Sequence, residues 1–362
     1  MSHTFRELLK KVGSGVHTGK DLTREEAALA TRMMLLQEAT PAQIGAFMIA
    51  HRIRRPTSEE LAGMLDAYDE IGPQLPSLAM GNGGGFAHPV TVLGTPYDGR
   101  SRTAPVTSLT ALLLATAGVP ILMHGGECMP TKYGIPLVEI WQALGVDFSR
   151  LALWQVEQLL KTTRLGLVYL PQHFPAAHEL VPYRDQIGKR PPFATMELVW
   201  SPYAGAAHIV TGYVHPPTEI LFREIFEHRS VTDFTIVKGL EGSCDLPCDR
   251  TAIISISQPD SSDNFERLLL HPRDYGFATK ESPLNSKDEL IEQMQAILNG
   301  KSSELTAAAI WNGGFYLWRC GICSDLSAAF TRAETLFSQG HVLGKLEEIR
   351  QAINSMQLAH QS

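Results

Sequence analysis

The sequence predicts an α/β protein in two parts: a small all-helical unit over residues 1–75, joined by part of 170–200, and a larger α/β unit over 76–362 with a mainly parallel central sheet covered by helices. Three observations lead there. Apolar residues recur at three- and four-residue spacing from residue 5 to 71. The chain between Gly72 and Gly85 turns to Pro, Gly, Ser and Asn. Beyond it, strand-like and helix-like runs alternate. At 362 residues, 44% of them hydrophobic and 19% charged, the chain is long for one compact domain and can bury a sizeable core.

In the first unit the periodicity predicts four short helices: Phe5 to Val12, Glu25 to Leu36, Ala42 to Ile53 and Glu59 to Tyr68. Their starts carry oxygen side chains suited to capping, with Thr23 ahead of the second, Thr40 before Pro41 at the third and Thr57-Ser58 at the fourth. In the second unit a strand over Pro89 to Leu93, a helix over Ser108 to Ala117 and a strand over Val119 to Met123 form a βαβ crossover, which requires a parallel sheet. The strands Ala207 to Val214 and Phe234 to Lys238, around a helix over Thr218 to His228, repeat it. Thr251 to Ile256 reads as one more strand. Lys287 to Leu298, Glu304 to Leu317, Ser324 to Phe337 and Leu343 to Met356 read as helices.

Lys and Arg total 31 against 38 Asp and Glu, a formal charge of -7, so no bulk basic surplus points to nucleic acid. Met1 to Lys11 lacks the apolar core of a secretory signal, and the longest apolar run, Leu109 to Met123, is broken by Gly118 and Pro120 and too short to span a bilayer. A cytoplasmic protein without membrane contact is expected. Five cysteines, an odd number, fit reduced thiols. Cys244 with Cys248 and Cys320 with Cys323 are spaced as zinc thiolates can be, but the apolar helical pattern around the second pair favours packing.

Three segments have the composition of ligand loops. Gly81 to Gly85 is rich in glycine but precedes the first strand, where a hinge is the simpler reading. Gly94-Thr95-Pro96-Tyr97-Asp98-Gly99 follows that strand and leads to a helix beginning with Thr107 and Ser108, a position suited to anions, with Arg100 and Arg102 adding charge. An ordinary βα loop with capping hydroxyls is the alternative. His124-Gly125-Gly126-Glu127 follows the next strand, at the carboxyl end where open α/β sheets bind ligands; His124 is either a ligand contact or a satisfied structural histidine.

These segments resemble the anthranilate phosphoribosyltransferase family. Ala39-Thr40-Pro41-Ala42-Gln43-Ile44 is similar to that family's Ala-Thr-Pro-Ala-Gln-Ile helix. Leu93-Gly94-Thr95 with Asp98-Gly99 resembles its Gly-Thr-Gly-Gly-Asp-Gly diphosphate loop, and Ala117-Gly118-Val119-Pro120 with His124-Gly125 its following strand and loop. Ala143 to Val146, Gly188-Lys189-Arg190, Val214-His215-Pro216, Asp274 to Phe277 and Gly344 to Glu348 extend the likeness in order along nearly the whole chain. Pro96 and Tyr97 replace the loop's two central glycines, Met123 replaces a lysine, Gly126 an asparagine, and Cys244-Asp245 an Asp-Glu pair. Tyr97-Asp98-Gly99-Arg100-Ser101 looks like the loop of a paralogous, anthranilate phosphoribosyltransferase-like branch, some of whose members are thought to bind nucleic acid.

The resemblance implies the nucleoside phosphorylase/phosphoribosyltransferase-like architecture, a homodimer through the helical unit, and transfer of a phosphoribosyl group from phosphoribosyl pyrophosphate to an aromatic amine such as anthranilate, in tryptophan biosynthesis. It implies His124 in a catalytic position, and Gly94, Thr95, Asp98, Gly99, Thr107, Ser108 and Gly125 around the diphosphate. Arg190 would meet the acceptor's carboxylate, and Asp245 with Glu241 would hold Mg²⁺. Two other readings stay open. One is a non-catalytic dimer holding nucleic acid or another polyanion on Arg100, Arg102, Lys132, Arg184, Lys189 and Arg190; the other is nucleoside phosphorolysis, which shares the architecture.

Overall fold

The computed structural model describes residues 2–15, 17–78, 86–258 and 265–359. Four helices open the chain: α1 (His3–Gly13), α2 (Arg24–Leu35), α3 (Pro41–Arg54) and α4 (Ser58–Ile71). Thr23, Thr40 and Thr57 each form a reciprocal capping box, with Glu26, Gln43 and Glu60 respectively, satisfying amide donors that a helix start leaves without partners. Phe5, Met34, Phe47, Leu61 and Leu65 fill the space between the helices.

The α/β unit carries one seven-stranded sheet: β1 (Val90–Leu93), β2 (Ile121–Gly125), β3 (Leu165–Tyr169), β4 (Ala207–Gly212), β5 (Phe234–Val237), β6 (Ala252–Ser257) and β7 (Phe265–Leu270). Their order is β3-β2-β1-β4-β5-β6-β7. The first five pair in parallel and the last two antiparallel. The chain therefore winds outward from β1 in one direction to β3 and in the other from β4, which puts a topological switch point between β1 and β4. At such a point the loops diverge and leave a crevice beyond the carboxyl ends of the strands.

The βαβ expectation holds, with α5 (Thr107–Thr116) as the first crossover helix; its Leu109, Ala111, Leu112, Leu113 and Leu114 are wholly buried. Two strands were not foreseen. β3 is a short apolar run, Leu-Gly-Leu-Val-Tyr, that periodicity cannot separate from the end of the helix before it, and β7, Phe-Glu-Arg-Leu-Leu-Leu at the sheet edge, has no two-residue alternation and no buried residue to mark it as a strand. β2 also begins and ends two residues later than expected. His124 and Gly125 are thus its last residues, not a loop beyond it.

The two units meet through rings and ion pairs. Tyr68 of α4 packs against Phe174, Phe193 and Trp200, from short helices and turns between β3 and β4. Flanking Tyr68 on the same helix, Asp66 accepts from Arg24 Nε at 2.6 Å and from Arg229 Nη1 at 2.6 Å, while Arg229 also pairs with Asp69. Arg24 reaches on to the carbonyl of His228 at 2.9 Å, at the end of the helix Pro216–His228.

Candidate active site

The segment from Gly94 to Val106 leaves the carboxyl end of β1 at the switch point and runs into α5. Gly94 admits no side chain, because a Cβ there would lie 2.1 Å from the carbonyl oxygen of Leu198. Gly99 sits at φ +72, which allows the chain to turn back beneath Gly134 and Ile135. Arg100 and Ile135 then pair as an isolated antiparallel bridge, so the stretch after β2 straps across the loop after β1.

In the loop whose position suggested anion binding, Tyr97 turns inward. Its side chain is 5% exposed and its hydroxyl lies 2.5 Å from Nδ1 of His124, which is fully buried edge-on to both Tyr97 and Trp200. Burial pushes the His124 imidazole down to about 3, against a smaller opposing pull from the Trp200 backbone. A neutral, enclosed imidazole bonded to a tyrosine is a structural pair. In this arrangement His124 does not reach the cleft as a proton carrier.

Beside this pair the acids anticipated as metal ligands have other partners. Asp245 accepts from Arg100 Nη1 at 3.0 Å, from the Val106 amide at 3.0 Å and from the Thr107 hydroxyl at 2.8 Å. Its carboxylate thereby occupies the start of α5, where a phosphate was expected, and takes up the Thr107 hydroxyl. Glu241 accepts from the amides of Arg102 and Thr103 at 3.0 and 2.9 Å, from the Ser101 amide at 3.3 Å and from Lys132 Nζ at 2.7 Å. Burial alone raises its carboxyl, but Lys132 and the amides outweigh that and hold it far below the ordinary carboxylate range. Ser108 is buried and its hydroxyl has no hydrogen-bond partner among the described residues.

Mg²⁺ does not fit this pair as it stands. The ion needs several free oxygens in near-octahedral array, and here all four carboxylate oxygens already accept from donors. The residue between Ser243 and Asp245 is Cys244, whose buried thiol is pushed up, which favours the protonated, poorly ligating form. Among the described residues no group of three or more His, Cys, Asp or Glu side chains could hold a metal ion. The cysteine pairs show the same chemistry: Cys248 is buried with its thiol pushed up to about 12, and Cys320 and Cys323 are free and partly buried.

Arg190 remains beside the loop after β1. Its side chain is 41% exposed and Nε donates to Asp98 at 2.6 Å, while Arg52 of α3 holds the Arg190 carbonyl at 2.5 Å. Thr95 and Asp98 are buried behind it. The six basic residues proposed for a polyanion do not form one open face. Arg184 is buried against Glu197, Arg100 against Asp245, Lys132 is committed to Glu241, and only Arg102 and Lys189 stand clearly exposed. Sequence reading missed the inward course of Arg100 and Lys132. The one available signal was Tyr97-Asp98-Gly99-Arg100, where bulk and charge replace glycine.

Two family descriptions match the chain: the helical bundle domain of a glycosyl transferase family over residues 6–72 and the α/β domain of the same family over residues 88–343. A protein of Polynucleobacter necessarius subsp. necessarius named anthranilate phosphoribosyltransferase is 24% identical over 333 residues, covering 91% of this chain and 93% of the relative. One from Azorhizobium caulinodans with the same name is 26% identical over 361 residues, covering 97% of each. Among solved structures, anthranilate phosphoribosyltransferase from Saccharomyces cerevisiae in complex with PRPP and Mg superposes with a TM-score of 0.80 at 16% identity, over 98% of this chain and 99% of that one. At that identity the likeness is one of fold.

Proposed function

The chain belongs to the glycosyl transferase family whose helical bundle and α/β domains cover residues 6–72 and 88–343, and from that we propose that it is a phosphoribosyltransferase whose cleft lies at the β1/β4 switch point. Relatives named anthranilate phosphoribosyltransferase along nearly the full length support phosphoribosyl transfer as the reaction class. The observation that carries the reading is Arg190. It is a half-exposed guanidinium beside the loop after β1, fixed by Asp98 and by Arg52 of the helical unit, and a planar fork of this kind suits the carboxylate of a small aromatic acid such as anthranilate.

In this reading the acceptor nitrogen bonds to the anomeric carbon of the phosphoribosyl donor as the bond to the diphosphate oxygen breaks; the amine proton passes to solvent. The chain contributes orientation and charge, through Arg190 on the acceptor side and the Gly94-Thr95 and Asp98-Gly99 backbone on the donor side. In this reading the inward Tyr97 and the paired acids slow the reaction. A homodimer through the helical unit belongs to the same proposal. Among the described residues no helix is long and apolar enough to cross a membrane.

Calorimetric titration with phosphoribosyl pyrophosphate, with and without Mg²⁺, tests this. Binding is expected, and at a hundredfold excess over the dissociation constant it stabilises the fold by about 2.7 kcal/mol, a visible shift of the melting curve. No heat and no shift at millimolar ligand would remove the proposal. Arg190→Ala is expected to raise the KM for the aromatic acid more than it lowers kcat.

A further inference from the structure

The acids at the carboxyl side of β5 are nearly dry. The side chains of Glu241 and Asp245 are 3% and 2% exposed, and two carboxylates cannot be buried this way without compensation. The compensation is internal. Arg100 runs between them, with Nη1 at 3.0 Å from Asp245 and Nε at 3.4 Å from Glu241, and Lys132 closes the other side of Glu241 at 2.7 Å. One guanidinium and one ammonium bring the two positive charges that a divalent ion would bring. They arrive from the two segments that the Arg100–Ile135 bridge joins as a strap: Arg100 from the loop after β1 and Lys132 from the stretch after β2, the latter also bonded to the Gly99 carbonyl at 2.8 Å.

We propose that Arg100 and Lys132 are resident cations standing in place of a divalent metal, so that this cleft neither needs nor admits Mg²⁺. Three further features agree. Arg100 is fixed by the Ser243 hydroxyl at 2.9 Å as well as by Thr103, so its position does not depend on the acids alone. Glu241 holds three consecutive amides, from Ser101 to Thr103, and so cannot swing to a metal without unmaking the loop. Arg102 Nε, from an exposed side chain, also lies 3.7 Å from Glu241, so a divalent ion added to this set would bring only excess positive charge into a site almost closed to water, which is costly.

The test uses Mn²⁺ as the probe, read by the electron paramagnetic resonance of free ion and by calorimetry on the full chain. It needs no phosphoribosyl donor, so its outcome is separate from that of the transferase reading. Wild type is expected to bind no Mn²⁺ at millimolar concentration and to melt at the same temperature with Mn²⁺ or with EDTA. Arg100→Met with Lys132→Met, which keeps the apolar stems, is expected to gain one Mn²⁺ per chain, and adding Asp245→Asn is expected to abolish it. Stoichiometric Mn²⁺ binding by wild type that Asp245→Asn removes would overturn the proposal. So would a folded double variant, with native circular dichroism, that gains no site. Should the double variant not fold, the wild-type titration against Asp245→Asn alone decides.

Discussion

Glu241→Gln removes one charge from the most heavily bonded carboxylate in the cleft, and its cost can be worked from the partners. Each glutamate oxygen accepts from two sides: Oε1 from the Arg102 and Thr103 amides and the Thr103 hydroxyl, Oε2 from the Ser101 amide and Lys132. Glutamine offers one oxygen and one NH₂, so whichever way it turns, a donor faces donors. Losing two charge-assisted bonds at about 1.5 to 3 kcal/mol each, and leaving Lys132 and Arg100 short of a counter-charge, puts the loss at about 3 to 5 kcal/mol after relaxation. With an unfolding entropy of about 2.1 cal/mol/K per residue, that lowers the melting temperature by about 4 to 7 °C for a cooperative transition of this chain. Urea unfolding and differential scanning calorimetry measure it. Glu157→Gln, which breaks the exposed helical pair with Lys161, serves as control and should stay within about 0.5 kcal/mol. A Glu241→Gln protein within about 1 kcal/mol of wild type, with m unchanged, would refute the account of this carboxylate as the organiser of the loop.

Two more predictions concern titration. The His124 imidazole, held down to about 3 by burial, should show no ring-proton shift by NMR between about pH 5 and 8, and Tyr97→Phe should cost about 1 to 2 kcal/mol; a His124 midpoint near its ordinary value would mean that solvent reaches the Tyr97 pocket. In the helical unit, burial raises the Glu60 carboxyl, but His51 and the Leu22 and Thr57 amides outweigh this and hold it down to about 2. A depressed folded value stabilises above the ordinary carboxylate value of 4.5, and that contribution is lost as pH falls from 4.5 towards 2. It amounts to at most about 3 kcal/mol, less whatever solvent screens. Stability curves of wild type and Glu60→Gln should therefore converge in acid; parallel curves from pH 7 down to about 2 would contradict the assignment.

Much of the architecture was legible because local chemistry and tertiary structure agree. The three threonine caps and the 3.6-residue periodicity after them specify α2 to α4, and a continuous apolar run can only be α5 and β2 in a protein of this composition. The site was legible in position but not in state. Strand-loop-helix order located Gly94 to Ser108 at the carboxyl end of β1, and the family likeness picked out Asp245, Glu241 and Arg190. Whether a loop side chain points into a cleft or closes it depends on contacts between distant segments. Arg100 is 145 residues from Asp245 and Lys132 is 109 from Glu241, and no periodicity reports such pairs. The glycine run at Gly81 to Gly85, read as a hinge, lies outside the described residues.

The arginines that tie α4 to the helix Pro216–His228 bear on how a guest could enter. Asp66 is shared by Arg24 and Arg229, Asp69 is paired with Arg229, and the Tyr68 ring is wedged against Phe174, Phe193 and Trp200. Swinging the small bundle about this seam would have to strip several charged contacts and an aromatic cluster at once. The bundle is accordingly held to the larger unit before any visitor arrives, as a fixed wall more than as one half of a clamshell that shuts around its prey.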